Sequence, residues 1–240
     1  MILQKSTLFV ALALASACSQ SPEAIGEARA QAVVAGPIVV ELFQSQGCSS
    51  CPPANANVNA LAAARADVIA LSYAVTYWDQ LGWKDTFAQP AFTERQRAYR
   101  RSGQSDGVYT PQVVINGRKA LVGADRGGLN RAVAAVGPLR GGPAIVRDAG
   151  GVTIGAGQGG SATVLIVTYD PRERAVPVKA GENTGRTLPH RNIVTNLREA
   201  GVWTGKPLHV AVATPRDPAL RTAVLVQKGA GGPLLAAARI

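Results

Sequence analysis

Cysteine, histidine, aromatic and charged residues are all scarce in this chain, and each scarcity removes a class of function. Of 240 residues only three are cysteine and two histidine. A structural zinc site wants four nitrogen or sulfur ligands, and a second Cys-x-x-Cys is missing, so no metal site is expected. Charged residues make up 17% and hydrophobic residues 47%, the balance of a globular chain rather than a disordered one. Aromatics amount to 5% and the net charge is +10, but the arginines are spread rather than clustered with aromatics, so nucleic acid is not the expected partner. No stretch reaches the roughly 18 apolar residues a membrane-spanning helix needs.

The N-terminus reads as an address. Lys5 opens a brief positive segment, Ser6 to Ala17 is an apolar run, and Ala15-Ser16-Ala17 supplies small residues for cleavage, so residues 1–17 are expected to be an export signal. Cys18 follows at once, behind Leu14 and the small residues, in the manner of a bacterial lipobox. Cys18 is therefore the expected lipidation site, with ordinary signal cleavage as the alternative. Residues 18–36 would then tether the body to a membrane through Cys18. Without Cys18 the cysteines form an even pair, Cys48 and Cys51, which suits an oxidising compartment. The expected location is the periplasm, or the envelope membrane of a bacterium by way of that anchor.

The stretch Ile38 to Pro53 carries the chemistry. Ile38-Val39-Val40-Glu41-Leu42-Phe43 reads as a buried strand and Gly47 as a turn; Cys48-Ser49-Ser50-Cys51 then opens a helix. A helix N-terminus favours a thiolate, the form that attacks disulfides. Cys48 is thus the expected exposed nucleophile and Cys51 the resolving thiol. The Ser49-Ser50 dipeptide brings neither charge nor ring, which leaves the pKa work to the helix end. Ala54 to Ala66 continues the helix and Asp67 to Tyr73 is a second, almost wholly apolar strand, completing a βαβ unit. Two of the three tryptophans, Trp78 and Trp83, come next. They are either a substrate-binding platform beside the cysteines or the anchors of a loop folded onto the body. Pro90 to Ser102 is an expected helix whose Arg95, Arg97, Arg100 and Arg101 read as a solvated face. In Tyr109-Thr110-Pro111-Gln112 a proline directly precedes a strand, and Asn116-Gly117 closes a hairpin. A Cys-x-x-Cys at a helix start followed by such a proline is the pattern of thioredoxin-like folds. There Pro111 would be cis, and the Thr110 backbone would pair with an extended substrate. Asp125 caps a last helix, Arg126 to Val136.

With Tyr77-Trp78-Asp79, Leu81-Gly82-Trp83-Lys84-Asp85 and Tyr109-Thr110-Pro111-Gln112 added to Cys48 to Pro53, the chain resembles an exported bacterial thioredoxin-like family. That family is catalogued as domain of unknown function number twelve twenty-three. The likeness runs over about residues 36–240 and implies a thioredoxin-like fold and export, but no defined reaction. The chain departs from the family pattern at Ala74 and Thr76, where a histidine and an aspartate are expected.

Gly141-Gly142-Pro143 marks a boundary, which gives an α/β chain: a thioredoxin-like domain over 37–140, then a β-rich module with one helix over 141–240. Strands are expected at 144–147, 152–154, 162–169, 175–179, 208–213 and 223–227, and the helix at Arg191 to Ala200. Gly155 to Gly160 matches a dinucleotide fingerprint on paper, but a strand follows where a helix is required, so it is read as a hairpin loop. Glu182, Arg186 and His190 are read as a polar turn and the start of that helix rather than as site residues. The expected function is a thiol–disulfide oxidoreductase without cofactor, acting on a protein or small-thiol disulfide and recharged by a redox partner. The alternatives are a lipoprotein binding module with a structural Cys48–Cys51 bridge and, more remotely, a copper chaperone.

Overall fold

Alternation along the first strand sets the layering. In β1 (Ile38–Gln44) Ile38, Val40 and Leu42 face one side, while Val39 and Phe43 face the other. Both sides are covered, and every residue of β1 is buried, as is every residue of β2 (Val68–Ala74). The computed structural model describes residues 1–2 and 35–240. Residues 3–17 of the expected export signal, Cys18 and most of the tether lie outside the described residues.

Helix α1 (Cys51–Ala64) leads from β1 to β2, which run parallel in register from Ile38↔Val68 to Gln44↔Ala74. After α2 (Pro90–Arg101), β3 (Gln112–Ile115) returns antiparallel to β1, β4 (Lys119–Leu121) antiparallel to β3, and α3 (Arg126–Val136) follows. Asp125 caps α3 by accepting from the Gly127 and Gly128 amides. Helices α1 and α3 cover one face through Ala54, Val58, Leu61, Leu129 and Val133. Helix α2 covers the other through Phe92 and Tyr99.

The second half is all strand among the described residues: β5 (Ile145–Arg147), β6 (Gly151–Ile154), β7 (Ala162–Asp170), β8 (Arg174–Pro177), β9 (Thr187–His190), β10 (Ile193–Trp203), β11 (Leu208–Ala211), β12 (Arg221–Gln227) and β13 (Leu234–Arg239). Four of these extend the first sheet to eight strands in the order β13-β12-β7-β10-β2-β1-β3-β4. The result is a mixed α/β architecture with one large mixed sheet and few helices. The strands β11-β6-β5 make a smaller sheet, and Val152, Ile154, Val164, Ile166 and the fully buried Trp203 fill the space between the two. Strands β8 and β9 pair only with each other, as a hairpin. The described residues from 35 to 240 form one compact unit, with strands from both sides of Gly141 in one sheet.

Two expectations are corrected. The helix placed at Arg191 to Ala200 is strand β10. Its Leu197-Arg198-Glu199-Ala200 favours helix in isolation, but β10 pairs with β7 from Ile193↔Asp170 to Trp203↔Ala162. Two register shifts absorb the places where its side chains fail to alternate. Ile193 also pairs with Ser72, which joins the late strands to β2. The second correction concerns Arg95, which leaves the solvated face of α2 and lies buried against Glu41.

Candidate functional site

The cysteines sit where β1 ends and α1 begins. Cys48 lies in the turn before the helix, its amide donating to Ser45 O, and Cys51 is the first helical residue. The helix therefore starts one turn later than the sequence suggests, with Ser50 as N-cap and Pro52 and Pro53 in its first turn. Cys48 and Cys51 are joined as a disulfide, with Cα atoms 5.4 Å apart. The Ser50 hydroxyl donates to Cys48 Sγ at 3.3 Å, since a disulfide sulfur can only accept. Neither cysteine is exposed: relative accessibility is 0% for Cys48 and 1% for Cys51. The exposed nucleophile expected at Cys48 is thus not found in this state.

Thr110–Pro111 is a cis peptide. Phe43 pairs with Gln112, so Pro111 falls opposite Gln44, at the sheet end from which the cysteine turn departs. Trp78 links the two loops. Its ring packs on Gly47, and its Nε1 donates to Thr110 Oγ1 at 2.7 Å. Trp83 Nε1 donates to Gln46 Oε1 at 2.9 Å. Both tryptophans are half-buried, so the aromatic segment folds onto the body and lines the cysteine turn at once.

Three polar residues not singled out as site residues from sequence complete the surroundings. Asp85, buried behind the turn, accepts from the Gln46 amide at 2.7 Å and the Phe87 amide at 2.8 Å. Burial raises its pKa to about 6, against the pull of those two amides. Asn183, fully buried, donates through Nδ2 to Gln46 O and Cys48 O, both at 2.9 Å. Glu182 accepts through one oxygen from the Ser49 amide at 3.0 Å and the Ser49 hydroxyl at 2.7 Å. Those bonds hold its carboxyl below the usual range. Arg186 donates to Asn183 Oδ1, whereas His190 lies apart, edge-on to Phe87. A sequence signal for this turn was the pair Gly181 and Gly185 around three polar residues; its target 135 residues upstream left none.

Among the described residues no group of three or more His, Cys, Asp or Glu side chains converges as a metal site would. A cleft of about 260 Å³ runs along the start of α1, between Pro52, Asn55 and Ala56 on the helix and Leu188 and Pro189 on β9.

The class these features define is a mixed α/β protein with a buried Cys-x-x-Cys disulfide at a helix start and a cis-proline loop at the same sheet end. The chain belongs to the DUF1223 family, described as a protein of unknown function, which matches residues 39–227. An X-ray crystal structure of a protein from Agrobacterium tumefaciens is similar at 34% identity and a TM-score of 0.69, over 86% of this chain and 94% of that one. HBP35 of Porphyromonas gingivalis is similar at 11% identity and a TM-score of 0.52, over 86% of this chain and 75% of that one. That second likeness concerns the fold alone. No curated protein matches.

Proposed function

We propose that the protein is an exported thiol–disulfide oxidoreductase with a thioredoxin-like core over residues 37–140. One observation carries the reading: the Cys48–Cys51 disulfide at the start of α1 and the cis Thr110–Pro111 peptide lie at the same end of β1. The strand order β2-β1-β3-β4, with β1 and β2 parallel and the rest antiparallel, supports a thioredoxin-like core. The address read in residues 1–17 and at Cys18 belongs to the same proposal, since such a disulfide persists in an oxidising compartment.

The chemistry balances without a cofactor. A substrate thiolate attacks Cys48 Sγ, the Sγ–Sγ bond breaks, and Cys51 leaves as a thiolate that takes up a proton. A second substrate thiol loses its proton and attacks the substrate sulfur of the mixed disulfide, releasing Cys48 as a thiolate. Two electrons pass to the protein, and the reverse sequence oxidises the protein and reduces the substrate. The α1 N-terminus favours the Cys48 thiolate. The Thr110 backbone and the two tryptophans are the proposed contacts for the substrate chain.

A second reading, a binding module stapled by a structural disulfide, is favoured by the burial of both cysteines. Trapping separates the two. Reduced Cys51→Ala protein, given oxidised glutathione, is expected to form a mixed disulfide at Cys48 at least about tenfold faster than Cys48→Ala forms one at Cys51. Intact mass reads the adducts. Equal, slow rates for the two variants would favour the staple.

A further inference from the structure

The tip of the β8–β9 hairpin is bonded to the turn that holds the buried disulfide. We propose that residues 181–186 are a lid over the Cys48–Cys51 disulfide, closed by Asn183 and Glu182 as positioning residues, and that exchange proceeds only when it lifts. The proposal rests on the exchange reading above.

The tip is bonded to itself as a unit. Thr184 N donates to Gly181 O, Arg186 N to Asn183 O, and Gly185 N back to Val178 O. Gly181 and Gly185 bracket it at φ +77° and +79°, backbone that favours glycine over residues with a Cβ. The strands behind it pair only with each other, so the tip can swing without breaking the eight-stranded sheet. Its hold on the cysteine turn consists of Asn183 Nδ2 on the Gln46 and Cys48 carbonyls and the Glu182 carboxylate on the Ser49 amide and hydroxyl. Trp83 backs it at Gly181.

Exchange requires the attacking sulfur to approach Cys48 Sγ from outside, along the line of the bond that breaks. At 0% exposure that approach is blocked. Lifting Asn183 frees the Cys48 carbonyl, and in the proposed open state the turn can yield the sulfur to an attacking thiolate. Glu182 acts on the same step in a second way. Its negative charge, set on the Ser49 amide just before the N-cap Ser50, opposes the positive helix end that would stabilise a Cys48 thiolate. While the lid is shut, the disulfide is therefore both hidden and less readily reduced.

The test is the rate of disulfide reduction by dithiothreitol in the full chain, read by alkylation and mass, as the reductant concentration rises. For the wild type the rate is expected to level off, because lid opening becomes limiting. In Asn183→Ala and in Glu182→Gln it should rise in proportion to reductant and exceed the wild type at least about tenfold at the highest concentration. Glu182 is exposed, so that variant keeps the fold even where loss of the buried Asn183 amide does not. Proportional kinetics in the wild type, at the rate of both variants, would overturn the lid. The exchange reading fails separately if the disulfide stays oxidised at equilibrium with reduced glutathione in wild type and variants alike, whatever the rates.

Discussion

Replacing Glu41 by Gln is expected to cost about 3–5 kcal/mol of folding stability, because it leaves a buried arginine without its counter-charge. Glu41 stands in the centre of β1 with no exposure, on the side facing α2. Arg95 reaches it from α2, its Nε donating to Glu41 Oε1 at 2.6 Å. The other two guanidinium nitrogens donate to Gln227 Oε1 at 3.0 Å and Tyr99 OH at 2.9 Å, and the Tyr99 hydroxyl donates to the second Glu41 oxygen. The guanidinium lies over the Tyr99 and Tyr73 rings, 5.2 and 5.7 Å from their centroids. Burial of the two charges costs several kcal/mol each, which this bonding offsets only while both partners are present. Gln227 belongs to β12, so the network also ties the late strands to the first βαβ unit. The double variant Glu41→Leu with Arg95→Met removes both charges and is expected to lose less than either single change. Urea unfolding followed by circular dichroism measures all three. A loss below about 1 kcal/mol for Glu41→Gln would contradict the account.

Acid behaviour is expected to be set by two buried groups of opposite sign that flank Phe87. His190 is 1% exposed and neither ring nitrogen has a partner, so burial lowers its pKa to about 4. The unfolded chain takes up that proton near pH 6.5, so the stability linked to His190 is complete above pH 6.5 and lost as pH falls toward 4. The difference amounts to about 3 kcal/mol. Asp85 runs the other way. With its pKa raised by burial to about 6, it contributes stability below pH 3.8 that is lost as pH rises through 6, again about 3 kcal/mol. Between pH 4 and 6 the two slopes oppose and the wild type should be nearly flat. His190→Phe keeps a ring against Phe87 and removes one of them. That variant should gain about 1–3 kcal/mol at pH 7, where two unpartnered nitrogens disappear, and gain further relative to wild type as pH falls. Asp85→Asn should instead expose the acid loss due to His190. Unfolding series at pH 4, 5, 6 and 7 decide it, and profiles parallel to the wild type in both variants would refute the assignment.

Glu41 also shows what could be read in advance. A lone carboxylate inside Ile38-Val39-Val40-Glu41-Leu42-Phe43, a strand apolar on both faces, demands a buried cation. The cation was legible only as one arginine among Arg95, Arg97, Arg100 and Arg101, and choosing it requires knowing which side of α2 meets the sheet. The cysteine turn, the proline before β3, the Asp125 cap and most late strands were legible because each rests on local chemistry. Strand β10 was not, because its local preference for helix yields to pairing with β7, whose partner residues lie about 30 positions earlier in the chain. Asn183 illustrates the same limit within the site. A short polar turn between glycines is ordinary in any sequence, and only the fold sets its amide on the Cys48 carbonyl.

The most direct test of the exchange centre is the reduction potential of Cys48–Cys51, measured by glutathione titration with alkylation mass shift. The account predicts a value between roughly −120 and −270 mV, in the range of exchange catalysts. A value below about −300 mV would contradict it and leave Cys48–Cys51 as a structural staple.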